Sequence, residues 1–154
     1  MPLVPRSRDE VRATLETLPP EVRVQISPHW LALLEKSAPR DPWVHGFHVV
    51  NDAGQVVGLG AFKGPPVDGV VEIAYAIEPE HQRKGYATGA ARDLARFAFE
   101  SGEVRVVRAH TLPDGIASQH VLLNAGFGRI GEVIDPEDGL VWRYERMLDG
   151  ESTS

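Results

Sequence analysis

Glu72-Ile73-Ala74-Tyr75-Ala76-Ile77-Glu78-Pro79-Glu80-His81-Gln82-Arg83-Lys84-Gly85-Tyr86-Ala87-Thr88-Gly89 changes its period halfway along. Val71, Ile73, Tyr75 and Ile77 share one face, and Glu72, Ala74, Ala76 and Glu78 the other, which predicts a strand from Val70 to Ile77. Beyond the turn, Ala87, Ala90, Ala91, Leu94, Phe97 and Ala98 recur at helical spacing, which predicts a helix from Tyr86 to Glu100, ended by Ser101-Gly102. A helix N-terminus has unpaired N–H groups and a partial positive charge, so it receives anions. Gly85 lets the backbone turn tightly, and Ala87 and Gly89 keep side chains off the approach. Arg83 and Lys84 add positive charge. These features suit a diphosphate; the alternative is a plain strand-to-helix turn with solvent-facing basic residues. The segment holds no Walker Gly-Lys-Ser/Thr, and its spacing is not Gly-x-Gly-x-x-Gly.

Upstream, Val11, Leu15 and Leu18 predict a helix from Arg8 to Leu18, stopped by Pro19-Pro20. Ser27 as N-cap and Pro28 at the first helical position begin a second helix, which ends before Pro39. Strands follow at Trp43 to Val50 and Gln55 to Phe62, joined by a turn at Asn51-Asp52-Ala53-Gly54. Downstream come a strand from Val104 to His110, a short helix from Ile116 to Asn124 closed by Gly126, and an antiparallel pair at Phe127 to Ile134 and Leu140 to Met147. The order predicts one α/β domain over residues 8–148. Leu3-Val4-Pro5-Arg6-Ser7 resembles an engineered protease-cleavage scar, with a native segment as the alternative, so residues 1–7 are set aside as an extension; residues 149–154 read as a disordered tail.

Composition narrows the function. The 154 residues contain no cysteine, which excludes disulfides, Cys-ligated zinc and a thiol nucleophile. The net charge of −6 lacks the basic footprint of a nucleic-acid binder; it suits a cationic substrate, but most acidic domains are acidic only because that keeps them soluble. No apolar run is long enough to span a membrane and no signal-peptide pattern is present, so the expected location is cytoplasmic. His29, His45 and His48 show no metal-binding spacing. An exposed edge strand makes a monomer or a homodimer the expected state.

Gln82-Arg83-Lys84-Gly85-Tyr86-Ala87 resembles the acyl-CoA turn of the GNAT (GCN5-related N-acetyltransferase) superfamily, Gln/Arg-x-x-Gly-x-Gly/Ala. Glu72 to Ile77 resembles that family's central strand, and Ala117-Ser118, Val121-Leu122 and Gly126-Phe127 its later Ala-Ser…Val-Leu…Gly-Phe segment. With Thr111-Leu112-Pro113 in front, the last segment is most similar to the branch of the ribosomal-protein N-terminal acetyltransferases. The resemblance implies a mixed, mostly antiparallel sheet flanked by helices, with two parallel strands, 70–77 and 104–110, splaying apart to admit acetyl-CoA. It implies cofactor contacts from Tyr75, Ala76 and Ile77 main chain to the pantetheine arm, and from Gln82, Arg83, Lys84, Gly85, Tyr86, Ala87 and Thr88 to the diphosphate. It needs no metal. The partners implied are acetyl-CoA and an amine; a silent acyl-CoA-binding or sensing module of the same fold is the alternative.

Acetyl transfer to an amine requires loss of the amine proton, a donor for the tetrahedral oxyanion and an acid for the departing thiolate. Glu72, on the face with Ala74 and Ala76, matches a position where family members carry a catalytic glutamate acting through water; its structural alternative is a strand-end salt bridge. A backbone N–H near Ile77 is the expected oxyanion donor. Where many members carry an acid tyrosine, five residues before the Phe of Gly-Phe, this chain has Leu122. Ser118 is the substitute, against a helix cap or a cofactor contact. The family's usual asparagine three residues before that serine is Gly115. His110 is a second candidate base, and Trp30, Trp43 and Trp142 are candidates for either an acceptor pocket or core.

Overall fold

A computed structural model describes residues 3–136 and 138–148. The strands, in chain order, are β1 (Leu3–Pro5), β2 (Phe47–Val50), β3 (Val56–Phe62), β4 (Val70–Ile77), β5 (Val106–Thr111), β6 (Gly128–Asp135) and β7 (Gly139–Met147). The helices are α1 (Arg8–Glu16), α2 (Pro20–Arg23), α3 (Pro28–Lys36), α4 (Pro42–His45), α5 (Tyr86–Glu100) and α6 (Ile116–Asn124), with a 3₁₀ turn at Pro79–His81. The strands form one sheet in the order β1-β2-β3-β4-β5-β7-β6, and among the described residues only β4 and β5 run parallel. This is the mixed, mostly antiparallel α/β architecture expected from the sequence. No helix among the described residues is long and apolar enough to cross a membrane.

The core lies between the sheet and α5. Ala91, Leu94 and Ala98, from the helical stripe read from sequence, and Ala95 beside them pack with Val71, Ile73, Val107, Ala109 and Tyr144. Trp43, Phe47, Phe62 and Phe97 interlock there at ring-centroid separations of 4.6–6.2 Å.

Three stretches depart from the sequence reading. One is α2, which forms directly after Pro19, where only a stop is expected. Leu3-Val4-Pro5 is an edge strand rather than an appendage: it pairs with Val49, His48 and Phe47, and Leu3 packs on the core. Ser7 then caps α1 in a reciprocal capping box with Glu10. The proposed tail, 149–154, lies outside the described residues. Trp43 to His45 is helical, not extended. Asp41 accepts from Trp43 N–H, Pro42 occupies the first turn and Gly46, at φ 70°, ends it.

That turn buries His45. The Asp41 N–H donates to Nδ1 at 3.0 Å, so Nε2 carries the hydrogen and donates to Ser37 Oγ at 2.8 Å. Ser37 Oγ in turn donates to the Leu34 carbonyl at 2.6 Å. Burial pushes the imidazole below its ordinary value, against the opposing pull of Asp41. An unfolded histidine takes up a proton below about pH 6.5 while the folded one resists, so stability falls as pH drops from about 6.5 towards the folded value. The urea midpoint is expected to be lower near pH 5.5 than near pH 7.5, and that difference is expected to shrink in His45→Gln.

Candidate active site

The site is where β4 and β5 part. Their ladder runs from Val70↔Val106 to Glu72↔Arg108 among the described residues, whereas β4 stays paired to β3 as far as Ile77. Strand parity decides what the opening contains. The Glu72 carbonyl accepts from Lys63 and the Glu78 N–H donates to Val57, so residues of even number in β4 turn their main chain to β3. Tyr75 and Ile77 therefore turn N–H and C=O groups into the gap, while Ala76, expected to contribute main chain, has it committed to β3. Gln82 Nε2 donates to the Ile77 carbonyl at 3.0 Å, tying the following turn to the strand end.

Beyond the gap, Arg83 at φ 65° and Gly85 at φ 86° bring the chain into α5. Side-chain hydrogen bonds cap α1, α3 and α4, but none caps α5. Its first N–H groups face a cleft of about 600 Å³ lined by Tyr75, Ala76, Ile77, His81, Gln82, Arg83, Gly85, Tyr86, Ala87, Thr88, Ala117, Ser118 and Val121. The geometry suits an extended ligand with an anionic group at the helix end. Of the residues read from sequence as cofactor contacts, only Lys84 is absent from this wall; it is exposed outside the cleft. His81 joins the wall without having been foreseen.

A second cavity, of about 250 Å³, opens on the β5 side. It includes Lys63, Glu72, His110, Thr111, Asp135 and Asp138, and it shares Tyr75 and Ser118 with the first. Glu72 Oε2 lies 3.0 Å from His110 Nδ1 and 3.3 Å from Lys63 Nζ. Arg143 Nε donates to His110 Nε2 at 3.1 Å. His110 thus stands beside Glu72 rather than at a separate base position. Lys63, Asp135, Asp138 and Arg143 were not singled out from sequence; each comes from a different strand or turn, and none carries a motif.

Ser118 lies in the first turn of α6, where Gly115 holds the N-cap position. Gln119 Nε2 fixes the preceding loop by donating to the Leu112 and Pro113 carbonyls at 3.1 and 3.0 Å. A Cβ at position 115 would stand 3.2 Å from the Leu112 oxygen, so this loop favours the glycine found there. Leu122 is buried in the core. Burial pushes the Tyr75 phenol up to about 12, so it keeps its proton. None of the three tryptophans lines either cavity: Trp43 sits in the aromatic cluster, Trp30 donates to the Val44 carbonyl, and Trp142 lies under the Arg129 guanidinium.

Comparison with known proteins agrees with this geometry. Residues 3–128 match the family model of the acetyltransferase (GNAT) domain. The protein described as uncharacterized N-acetyltransferase YjdG of Bacillus subtilis (strain 168) is 34% identical over 88 residues, 56% of this chain and 51% of that protein. The chain thus spans about half the length of the curated relative it matches. Aminoglycoside acetyltransferase AAC(6')-Ib, solved with coenzyme A and kanamycin, superposes with a TM-score of 0.65 at 20% identity, over 94% of this chain and 93% of that one. A chimera of spermidine N-acetyltransferase SpeG from Vibrio cholerae and hSSAT gives 0.69 at 17% identity, over 96% of each chain. At such identities the structural likeness speaks to the fold alone. The family match over most of its length, with the splayed strands and the uncapped helix end, places this chain in the GNAT acetyltransferase family.

Proposed function

We propose that the protein is an acetyl-CoA-dependent N-acetyltransferase that moves an acetyl group to a primary amine by direct attack in a ternary complex. The observation that carries the reading is the meeting of two cavities at Tyr75 and Ser118, one ending at an uncapped helix N-terminus and the other holding Glu72. In this reading, the N–H groups of Gly85 to Thr88 receive the diphosphate, with Arg83 beside them and Lys84 adding charge from outside. Tyr75 and Ile77 main chain align the pantetheine arm, and the small side chain of Ala76 leaves it room. Acetyl-CoA supplies the acyl group as a thioester.

Glu72 takes the proton of the amine, directly or through water. The Ile77 N–H, directed into the gap, is placed to donate to the oxyanion, and Ser118 hands a proton to the departing sulfur. Carboxylates at Glu72, Asp135 and Asp138 outnumber the single lysine in the acceptor cavity, which favours a cationic amine. The acceptors named for the structural neighbours, kanamycin and spermidine, are cationic in the same way. Protein N-termini stay in the candidate set because an α-amine, with a reference value near 8, needs less help from a base than a lysine near 10.4.

The test is CoA release from acetyl-CoA with spermidine, kanamycin, ribostamycin and a peptide bearing a free N-terminus. Turnover with at least one of them is expected. Saturable acetyl-CoA binding without turnover across the panel would favour the second reading, a silent acyl-CoA sensor. The burial of Leu122, where relatives place an acid, is the observation in its favour.

A further inference from the structure

We propose that His110 is a positioning residue for Glu72, set in its working tautomer by Arg143. The inference rests on the reading of Glu72 as the base. Three strands build the arrangement: Glu72 on β4, His110 on β5 and Arg143 on β7, with His110 and Arg143 directly opposite in the antiparallel register. Arg143 Nε can only donate, so His110 Nε2 accepts its hydrogen bond at 3.1 Å. The ring hydrogen must then sit on Nδ1, which donates to Glu72 Oε2 at 3.0 Å. Lys63 Nζ contacts the same oxygen at 3.3 Å. Both contacts fall on Oε2, and Oε1 is left to receive the proton. A neighbouring pair on the same face, Arg108 with Glu145 at 2.7 Å, is self-contained and does not draw on the relay.

The position of the relay gives it a purpose. The β4–β5 ladder ends at Glu72↔Arg108, so past that pair β4 is held by β3 and not by β5. The His110–Glu72 bond is a side-chain rung across the fork at that point. It fixes the carboxylate rotamer against the acceptor cavity, and a displacement of about 1 Å in such a group is enough to cost on the order of a hundredfold in rate.

Ring ¹⁵N NMR of the wild-type protein tests the relay without an acceptor. The expected signature is the Nδ1–H tautomer of His110, which both Arg143 and Glu72 require; an Nε2–H tautomer in the wild type would overturn the proposal. Kinetics with the fastest acceptor of the panel separates positioning from a purely structural role. His110→Ala is expected to lower kcat roughly 10- to 100-fold with the acetyl-CoA KM within about twofold. His110→Asn, whose amide presents an N–H near the place of Nδ1, is expected to recover most of that loss. Equal losses in the two variants would contradict the relay. His110→Ala added to Glu72→Gln is expected to cost little more than Glu72→Gln alone. Glu72→Gln at the full wild-type rate would sink the base assignment itself, whatever the tautomer.

Discussion

Gly85→Glu yields a folded protein whose acetyl-CoA affinity is at least about 100-fold weaker, a loss of roughly 2.7 kcal/mol or more. Position 85 holds a φ of 86° and ψ of 0°, and a Cβ added there meets no atom within 4 Å. The substitution therefore clashes with nothing in the protein. Its structural cost is confined to left-handed backbone, about 1–2 kcal/mol, which a domain of ordinary stability of about 5–15 kcal/mol survives. The effect on binding comes from charge. The new carboxylate sits at the uncapped end of α5, competing for its N–H groups and repelling the diphosphate that they would receive. Gly85→Ala separates the two terms, because it carries the same backbone strain without the charge; its affinity is expected to fall less than about tenfold. Thermal unfolding checks the fold and calorimetric titration checks the binding. Binding by Gly85→Glu within a few-fold of wild type would show that the ligand does not use this helix end.

Glu72→Gln is expected to lower kcat by roughly 100- to 1000-fold while the acetyl-CoA KM changes by no more than about twofold. The amide keeps the shape of the side chain and an oxygen to accept from His110, so the network at 3.0 Å loses little geometry. What it loses is the ability to take a proton. The loss is expected to depend on the acceptor. An amine with a reference value near 10.4 is neutral less than roughly one time in a thousand at pH 7, against about one in ten for an α-amine near 8. Steady-state kinetics on two such acceptors checks this: the variant should be more impaired with the more basic one. An equal and small loss on both would make Glu72 a structural partner of Lys63 and His110 instead of a base.

β4, the turn and α5 were legible because one short stretch carries them, whereas the parting of β4 from β5 was expected only from the resemblance to the GNAT family. The change from alternation to helical spacing, with Gly85 at the joint, fixes β4, the turn and α5 from local sequence alone. The acceptor cavity was not legible in the same way. His110 lies 38 residues from Glu72, and Arg143 lies 33 from His110, so only the register of three strands brings them together. The role of Ala76 depended on hydrogen-bond parity, which a list of small residues does not reveal. The helical turn at Pro42 was readable in principle from Asp41, Pro42 and Gly46, but its residues from Trp43 on fall within the strand expected from Trp43 to Val50. Leu3 and Val4 are set aside because Leu3-Val4-Pro5-Arg6-Ser7 resembles a protease-cleavage scar, and a strand of three residues has too few positions to show a period against that reading.

The central claim is that the opening between β4 and β5, closed at one end by α5, binds the diphosphate of coenzyme A. Calorimetric titration of the wild-type protein with acetyl-CoA tests it most directly. A saturable isotherm is expected, with a Kd between about 1 μM and 1 mM, the span of ordinary enzyme–substrate affinities. A flat trace at millimolar ligand would contradict the account.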